Sequence, residues 1–401
     1  MMLHIHNGRV LTDGAEAEAD SLTIADGVVA AVGGAAPRGG LTLDARDMLV
    51  LPGIVDLHGD AFERQLMPRP GVSIDPTVAL LDTDRQLLAN GITTAFHAMT
   101  WSWEPGLRSR EAGKAFVAAL TAARADLGCD TRFHLRHETF NFDGEQTVVD
   151  WLATRQIDLL AINDHTPGMA AKIDRGRSLA STAERAGLSL DAFADLLSHV
   201  VARAPEVEAS VGRICGAARA QGVPMASHDD ESAETRDAYA ALGCAICEFP
   251  QNIETARHAR ATGASVVMGA PNVLRGGSHI GLVGAADLIL RGLCDILCSD
   301  YFYPALLGAP FRLEEDGVCN LAEAWRLVSA NPAAAAGLPD RGALRPGARA
   351  DIVLVDDTIA GAPRVAATFV AGKPAFFAAG FDRLSVGRMA ARRAQRDVVA
   401  V

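Results

Sequence analysis

The sequence predicts an α/β protein in which a (β/α)8 TIM barrel carries a small β-sandwich domain built from both termini. Two observations predict this fold class. Short β-rich runs alternate with helical stretches through the middle of the chain, and short strands separated by turn signals occupy both ends. With 401 residues, 49% of them hydrophobic, the chain is long enough for one large and one smaller domain. We expect residues 1–52 to begin the small domain, 53–337 to form the barrel, and 338–401 to complete the small domain and form a C-terminal tail.

Both ends of the chain have the pattern of short β-strands. Near the start, Asn-Gly, Asp-Gly and Gly-Gly turns separate β-rich stretches at 3–7, 21–24, 28–32 and 41–43. Near the end, β-rich stretches occupy 350–355 and 367–370. Because chain termini often lie close together, we expect these stretches to pair in one small β domain.

The middle of the chain has the pattern of a barrel. Helical stretches such as 111–126 and 206–220 lie between many of its β-rich runs, and we expect the segment 167–205 to be an insertion over the barrel mouth. In such barrels the chemistry lies at the C-terminal ends of the strands, where these runs carry His, Asp and Glu. The eight runs are 54–60, 92–97, 132–138, 159–165, 223–230, 245–250, 265–271 and 295–300.

Charge and cysteine usage exclude several classes of protein. The chain has 37 Lys and Arg against 49 Asp and Glu, a net charge of −12, and no long basic run, which argues against nucleic-acid and membrane-surface partners. Its start lacks a signal-peptide pattern, and the seven scattered cysteines favour a reducing compartment. We expect a cytoplasmic protein with a small-molecule ligand, and the sequence leaves homo-oligomer formation open.

Metal-binding residue types gather at the ends of the predicted strands. His58 and Asp60, two positions apart at the end of the first run, share one face of the strand. Burying many ionisable groups is costly unless they are paired or hold a metal. A metal cluster therefore explains these residues together, and unrelated polar loop residues are the alternative. Later runs carry further ionisable residues, namely His134, Arg136, Glu138, His165, His228 and Asp300.

This residue set is large enough for two divalent ions. In many hydrolases the bridging anion is a carbamylated lysine, but no lysine of this chain falls at the end of a barrel run, so Glu138 is the available bridge. We expect Asp300 to lie beside the attacking water and to take its proton. Zinc is the first choice for imidazole and carboxylate ligands, with manganese and iron as alternatives. The predicted metal site has six residues: His58 and Asp60 for one ion, His165 and His228 for the other, Glu138 between them and Asp300 beside the bound water.

The run 268–279 is the best candidate for an anion site. Its Gly-Gly pair lets backbone N–H groups approach a ligand, and an ordinary polar turn is the alternative. Arg69, between two prolines, is a weaker candidate that an exposed loop would also explain. The side chains that would bind substrate in the run are Asn272, Arg275, Ser278 and His279.

Two other features have a structural explanation. Cys244 and Cys247 have the spacing of a redox or zinc motif, but residues three apart on a strand face opposite sides, so we expect buried cysteines. His97 ends the second run and lies either in the pocket or in the core.

Several segments resemble the amidohydrolase superfamily. Residues 49–58 resemble its first barrel strand and 347–354 its return to the small β domain, although this chain has His-x-Asp where the superfamily usually has His-x-His. The chain is more similar to the family of α-D-ribose 1-methylphosphonate 5-triphosphate diphosphatases of the carbon–phosphorus lyase pathway. That resemblance covers nearly the whole chain, and it departs at 141–144. The matching segments are 57–60, 68–70, 164–168, 226–230, 248–250, 268–279 and 295–301.

The resemblance implies hydrolysis of a triphosphorylated ribose phosphonate to the 5-phosphate and pyrophosphate, in the catabolism of phosphonates. It also supports Glu138 as the bridge, because family members have a Glu there. Residue spacing alone indicates a metal hydrolase. A hydrolase of a cyclic amide or an N-acyl substrate is the alternative on the same barrel, and a non-catalytic scaffold is a third reading.

Overall fold

The computed structural model describes residues 2–12, 15–16, 19–37, 39–277 and 281–386. Its strands are β1 (Met2–His6), β2 (Arg9–Thr12), β3 (Ala15–Glu16), β4 (Leu22–Ala25), β5 (Val28–Val32), β6 (Leu41–Asp44), β7 (Leu49–Pro52), β8 (Ile54–Gly59), β9 (Ile92–Trp101), β10 (Asp130–Glu138), β11 (Leu159–Asn163), β12 (Met225–His228), β13 (Ile246–Glu248), β14 (Ser265–Gly269), β15 (Ile296–Cys298), β16 (Ile352–Asp356), β17 (Arg364–Val370), β18 (Lys373–Phe377) and β19 (Leu384–Val386). Its α-helices are α1 (Glu63–Leu66), α2 (Pro76–Ala89), α3 (Arg110–Ala123), α4 (Glu145–Ala153), α5 (Thr166–Asp174), α6 (Ala180–Arg185), α7 (Leu190–Val201), α8 (Val207–Gln221), α9 (Ala233–Ala241), α10 (Ile253–Ala261), α11 (Ala270–Arg275), α12 (Ala285–Leu290), α13 (Pro304–Glu315), α14 (Leu321–Arg326) and α15 (Ala330–Ala335).

Strands β8 to β15 form one sheet in which each strand pairs in parallel with the next along the chain. Its two edges meet where the backbone N–H of Asp300 donates to the carbonyl of His58 and the N–H of Asp60 donates to the carbonyl of Asp300, both at 2.9 Å. The sheet is thereby closed. This confirms the predicted barrel, and each of the eight β-rich runs overlaps one of its strands.

The residues of these strands are buried on both faces, as in other all-parallel sheets. Every residue of β8, β9, β11, β12, β13 and β15 is buried. Helices follow most strands and begin at capping side chains: Asp75 accepts from the N–H of Thr77 at the start of α2, and Ser109 accepts from the N–H of Ala112 at the start of α3. The polar residues that the sequence places after each run therefore lie at one end of a buried barrel.

The terminal strands form two further sheets, as the sequence predicts. One has the order β19-β6-β1-β4-β5 and the other the order β18-β17-β16-β7-β2-β3. The antiparallel pair of β7 with β16, in which Leu51 lies opposite Val353, joins the N-terminal and C-terminal parts. Buried residues of both sheets, including Ile5, Val50 and Leu354, share one core. The predicted tail beyond residue 386 lies outside the described residues.

Ion pairs and hydrogen bonds join the barrel to the segments that follow it. Asp130, the first residue of β10, accepts from Arg341 and, at 2.9 Å, from Arg349. Burial opposes ionisation of Asp130, but the charges of Arg132 and Arg341 lower its pKa to about 2. The indole N–H of Trp325 donates to the carbonyl of Pro52 at 3.0 Å. These contacts fix the end of the barrel that is remote from the candidate site.

The segment between β11 and α8 forms three helices, α5, α6 and α7, with a small apolar core of their own. Two contacts attach it to the loop after β9: the Trp103 indole donates to Thr166 Oγ1 at 2.9 Å, and Arg185 donates to Glu104 at 2.8 Å. The segment thus lies at the C-terminal end of the barrel, where the sequence predicts an insertion. In the described part of the chain, no helix is both long and apolar enough to cross a membrane.

Candidate metal centre

The chain leaves three barrel strands in an unusual backbone conformation. Asp229, Phe249 and Asp300, each within two residues of the end of β12, β13 or β15, have φ angles of 58°, 54° and 53°. This left-handed region is uncommon for residues other than glycine, and such residues cluster at functional sites. The sharp turns keep the side chains of these residues at the mouth of the barrel.

A first group of potential metal ligands lies at the mouth and is called here the mouth cluster. It consists of His165, His228 and Asp229, whose ligand atoms all lie within 4.8 Å of one another. The Asp229 Oδ2 atom is 3.4 Å from His165 Nε2 and 3.8 Å from His228 Nε2. The Glu138 Oε1 atom lies 2.5 Å from His165 Nδ1, which orients the other ring nitrogen of His165 toward Asp229.

His165 lies between two carboxylates, those of Glu138 and Asp229. Burial alone would lower the pKa of His165, but hydrogen bonds to Asp229 and Glu138 raise it to about 9. Burial also opposes ionisation of Asp229, but the neighbouring His228 and the hydrogen bond from His165 lower the pKa of its carboxyl. The mouth cluster therefore holds an ionised carboxylate whose charge is balanced by a proton, which a divalent ion would displace.

A second group lies deeper and is called here the deep cluster. It consists of His58 on β8, His134 on β10 and Glu248 on β13, all buried. His58 Nδ1 is 3.0 Å from Glu248 Oε2, and His134 Nε2 is 3.9 Å from Glu248 Oε1. His58 Nδ1, His134 Nε2 and Glu248 Oε1 have no hydrogen-bond partner. Buried polar atoms without partners are rare, so the deep cluster fits a divalent metal, and the mouth cluster offers the same imidazole and carboxylate ligand types.

Arg136 connects the two sides of the mouth. Its guanidinium donates to Asp60 Oδ2 and to His228 Nε2, each at 3.1 Å. Because His228 Nε2 accepts this bond, its Nδ1 carries the proton and donates to Glu248 Oε2 at 3.2 Å. Asp60, predicted from the sequence as a ligand, thus contacts an arginine and belongs to neither cluster.

Asp300 and Asp56 occupy the place where the barrel closes. Asp56 accepts from the backbone N–H of Ser299 at 3.0 Å and from its hydroxyl at 2.5 Å, which ties β8 to the end of β15. Burial raises the pKa of Asp56 to about 6. Burial and the nearby Asp60 carboxylate raise the pKa of Asp300 to about 7. Asp300 thus lies at the mouth, where its backbone bonds to His58 and Asp60, and its place beside a bound water stays a prediction.

Two cavities open at the mouth and share Arg136, His228 and Asp229 in their walls. The first has a volume of about 220 Å³ and is also lined by His58 and Asp300. The second has a volume of about 650 Å³ and is also lined by His165 and Glu138. A ligand at the mouth cluster could extend into either cavity.

The predicted substrate-binding residues lie in different surroundings. Asn272 and Arg275, both on α11, line the first cavity, and Asn272 Oδ1 also accepts from the N–H of Ala285 at 3.0 Å. Arg69 is exposed on a loop after α1. Ser278 and His279 lie outside the described residues.

Two structural explanations are supported. Cys244 and Cys247 are both buried, and Cys247 Sγ lies 3.3 Å from Asp230 Oδ2 while Cys244 belongs to a separate apolar cluster. His97 packs against the rings of Phe62 and Phe116, with centroids 5.0 and 5.9 Å away, and burial lowers its pKa to about 3. His97 therefore belongs to the core.

Sequence reasoning did not select three residues of the two clusters. His134 is among the residues that the sequence places on the barrel runs, but the sequence assigns it no ligand role. Glu248 carries a signal that was available, because it is a carboxylate at the end of an otherwise apolar strand. Asp229 follows His228 directly, and only its left-handed backbone brings the two side chains to one site.

Comparisons with known proteins agree with the barrel fold and show the family. A sequence model of the amidohydrolase family matches residues 304–376. The α-D-ribose 1-methylphosphonate 5-triphosphate diphosphatase of Escherichia coli (strain K12) is 33% identical over 350 residues, which cover 84% of this chain and 91% of that protein.

Solved structures show the same fold at low identity. The β-aspartyl dipeptidase from the thermophilic keratin-degrading Fervidobacterium islandicum AW-1, in complex with a β-Asp-Leu dipeptide, has a TM-score of 0.62 and 15% identity, covering 94% of this chain and 97% of that one. The dihydropyrimidinase from Brevibacillus agri NCHU1002 has a TM-score of 0.57 and 15% identity, covering 93% and 95%. These likenesses concern the fold alone.

Proposed function

Because this chain belongs to the amidohydrolase superfamily, within the family of α-D-ribose 1-methylphosphonate 5-triphosphate diphosphatases, we propose that it hydrolyses that triphosphate to the 5-phosphate and pyrophosphate. The observation that carries the proposal is the 33% identity to the Escherichia coli enzyme over 84% of the chain. The ring of imidazole and carboxylate groups at the barrel mouth supports a metal-dependent hydrolase. The location we propose is the cytoplasm, since all seven cysteines are free.

We place two divalent ions, zinc by preference, at the mouth of the barrel. His165 and His228 would hold one ion, and His58 would hold the other. Glu138, which contacts His165, and Asp60 remain proposed ligands. The hydrogen bonds from Arg136 to Asp60 and His228 would have to be released for both ligands to reach a metal. The ions would supply Lewis-acid polarisation of the phosphoryl group and activation of water.

Asp300 is the residue we propose as the acceptor of the water proton. It lines the first cavity beside His58, and two backbone hydrogen bonds to β8 and to Asp60 fix its position. A carboxylate held in this way can take a proton from a water molecule at the mouth and return it to the leaving pyrophosphate. The proposed role of Asp300 is therefore proton transfer from a fixed position.

Charge at the first cavity supports a phosphate ligand there. Arg275 extends from the end of α11 into the lining of this cavity, and an arginine can hold two phosphate oxygens at once. The second cavity is lined by Lys172, whose ammonium is a point charge, and by Arg108 and Arg185, which already pair with Glu63 and Glu104. We therefore propose that Arg275 holds the pyrophosphate end of the substrate, with Asn272, Arg69, Ser278 and His279 as further proposed contacts.

A substrate panel tests the proposal. The chain, stripped with a chelator and reloaded with Zn²⁺, is assayed for pyrophosphate release from the ribose phosphonate triphosphate, and for hydrolysis of a cyclic amide and of an N-acyl amino acid. We expect the highest kcat/KM on the triphosphate and loss of that activity in the stripped protein. Higher kcat/KM on either amide would show the alternative amidohydrolase function instead.

A further inference from the structure

The deep cluster has features that a metal-free hydrogen-bond network does not explain. We propose that His58, His134 and Glu248 bind one divalent transition-metal ion in a buried site separate from the mouth cluster. The three side chains come from three different strands, β8, β10 and β13, and their ligand atoms lie within 4.8 Å of one another. None of the three is exposed by more than 1%.

The hydrogen bonding of His134 fixes which of its atoms faces the cluster. His134 Nδ1 lies 2.9 Å from the backbone carbonyl of Leu57. A carbonyl can only accept, so Nδ1 carries the ring proton and, in the neutral ring, Nε2 presents a lone pair. That Nε2 atom faces Glu248 Oε1 at 3.9 Å, and neither atom has a hydrogen-bond partner. Two acceptors that face each other in a buried place require something positive between them.

The other oxygen of Glu248 is already occupied. It accepts from His228 Nδ1 at 3.2 Å and lies 3.0 Å from His58 Nδ1, which also lacks a hydrogen-bond partner. Glu248 thus uses one oxygen for the mouth cluster and leaves the other for the deep cluster. The bond to His228 links the two clusters, so an ion in the deep site would help to orient a ligand of the mouth site.

An ion and a water molecule make different demands on these three atoms. A water molecule would donate to His134 Nε2 and Glu248 Oε1 and would need a proton on His58 Nδ1 from which to accept, whereas an ion takes a lone pair from all three atoms. The ring of Phe249 packs edge-to-face against the imidazoles of His58 and His228, both at 5.1 Å, so one side of the site is apolar. Two imidazole nitrogens and one carboxylate oxygen are a common set for zinc, cobalt or manganese.

This inference rests on the proposed function in one respect, because both place an ion on His58. The inference adds His134 and Glu248 as ligands of that ion, so the ion would lie deeper in the barrel than the mouth cluster. Metal binding at this site can be measured without any substrate, so the two proposals can fail separately.

The test counts bound metal in the full chain. Wild-type protein and the variants H134Q and E248Q are stripped with a chelator, reloaded with Co²⁺ and desalted. Bound Co²⁺ is then measured by mass spectrometry, by visible absorption and by the rise in Tm on loading. The matched controls are H199Q, on the exposed face of α7, and E254Q, at the exposed start of α10. Pyrophosphate release is measured separately.

We expect the wild type and both controls to bind about two equivalents, and H134Q and E248Q about one, with part of the Tm rise lost. H134Q decides the matter if E248Q fails to fold, because it replaces one neutral polar side chain by another and adds no charge. Unchanged Co²⁺ content in a folded H134Q would overturn the site and indicate a buried water only. The two proposals can also separate. If the variants lose one equivalent of Co²⁺ but the metal-loaded wild type does not hydrolyse the triphosphate, the site is supported and the proposed function is rejected.

Discussion

Replacing Arg236 by methionine should destabilise the protein severely, because Arg236 holds together the strand ends that carry the site. Arg236 is fully buried and donates to Ser227 Oγ at 2.5 Å, to Asp230 Oδ2 at 3.2 Å and to the carbonyl of Cys244. Ser227 and Asp230 flank His228 and Asp229. The Arg236 guanidinium therefore connects β12, which ends at His228 of the mouth cluster, to Cys244, two residues before β13 begins.

The magnitude follows from what the substitution leaves behind. Asp230 is fully buried and would retain only neutral donors, Ser227 Oγ at 2.7 Å and Cys247 Sγ at 3.3 Å. Removing one partner of a buried ion pair costs about 3–5 kcal/mol. We expect R236M to lower the free energy of unfolding by this amount. The double variant R236M/D230N should recover part of the loss, since it leaves no unpaired charge.

Urea titrations followed by circular dichroism measure the effect. The matched control is R213M, because Arg213 also pairs with a carboxylate, Glu145, but on the surface. An exposed pair contributes about 1 kcal/mol or less, so R213M should unfold close to the wild type. If R236M were also within about 1 kcal/mol of the wild type, the reasoning on the buried pair would be refuted.

Three further predictions concern chemistry, substrate and pH. Asp300→Asn should lower kcat by about 10²–10⁴-fold while mass spectrometry shows unchanged metal content, and near-wild-type turnover would exclude the proton-accepting role. Arg275→Ala should lower kcat/KM for the triphosphate by at least about tenfold, and Arg275→Lys should recover part of that loss. Unchanged steady-state kinetics in a folded Arg275→Ala variant would reject the phosphate contact. Asp130→Asn should lower the free energy of unfolding by about 2 kcal/mol at neutral pH, because the folded-state pKa of about 2 lies below the ordinary value of 3.8. This difference, measured by urea titration, should be complete above about pH 4 and vanish as the pH falls below about 2; a difference independent of pH would contradict it.

The barrel could be predicted from the sequence because its signals are local. Six of the eight β-rich runs end in a polar residue, and the parallel sheet places the ends of all the runs at one mouth. The pairing of the terminal strands followed from composition and turn residues at both ends. The lengths of individual strands were less predictable, since β9 continues to Trp101, beyond the predicted end at His97.

The grouping of the site residues could not be predicted. It depends on how deep each side chain lies in the barrel and on the backbone turns that follow the strands. His58 lies on its strand and faces His134 and Glu248, whereas His165 follows the end of β11 and faces Asp229. Sequence spacing assigned His58 and Asp60 to one ion, but in the structure Asp60 contacts Arg136. Side-chain partners from other strands decide such details, and a one-dimensional pattern does not contain them.

The most direct test of the proposed function is ³¹P NMR of the reaction in H₂¹⁸O, with metal-loaded chain and ribose 1-methylphosphonate 5-triphosphate. Attack of water on the α-phosphorus predicts two products, the 5-phosphate and pyrophosphate, with the ¹⁸O label in the 5-phosphate alone. Label in pyrophosphate, release of orthophosphate, or no turnover by protein that carries its full metal content would contradict the proposal.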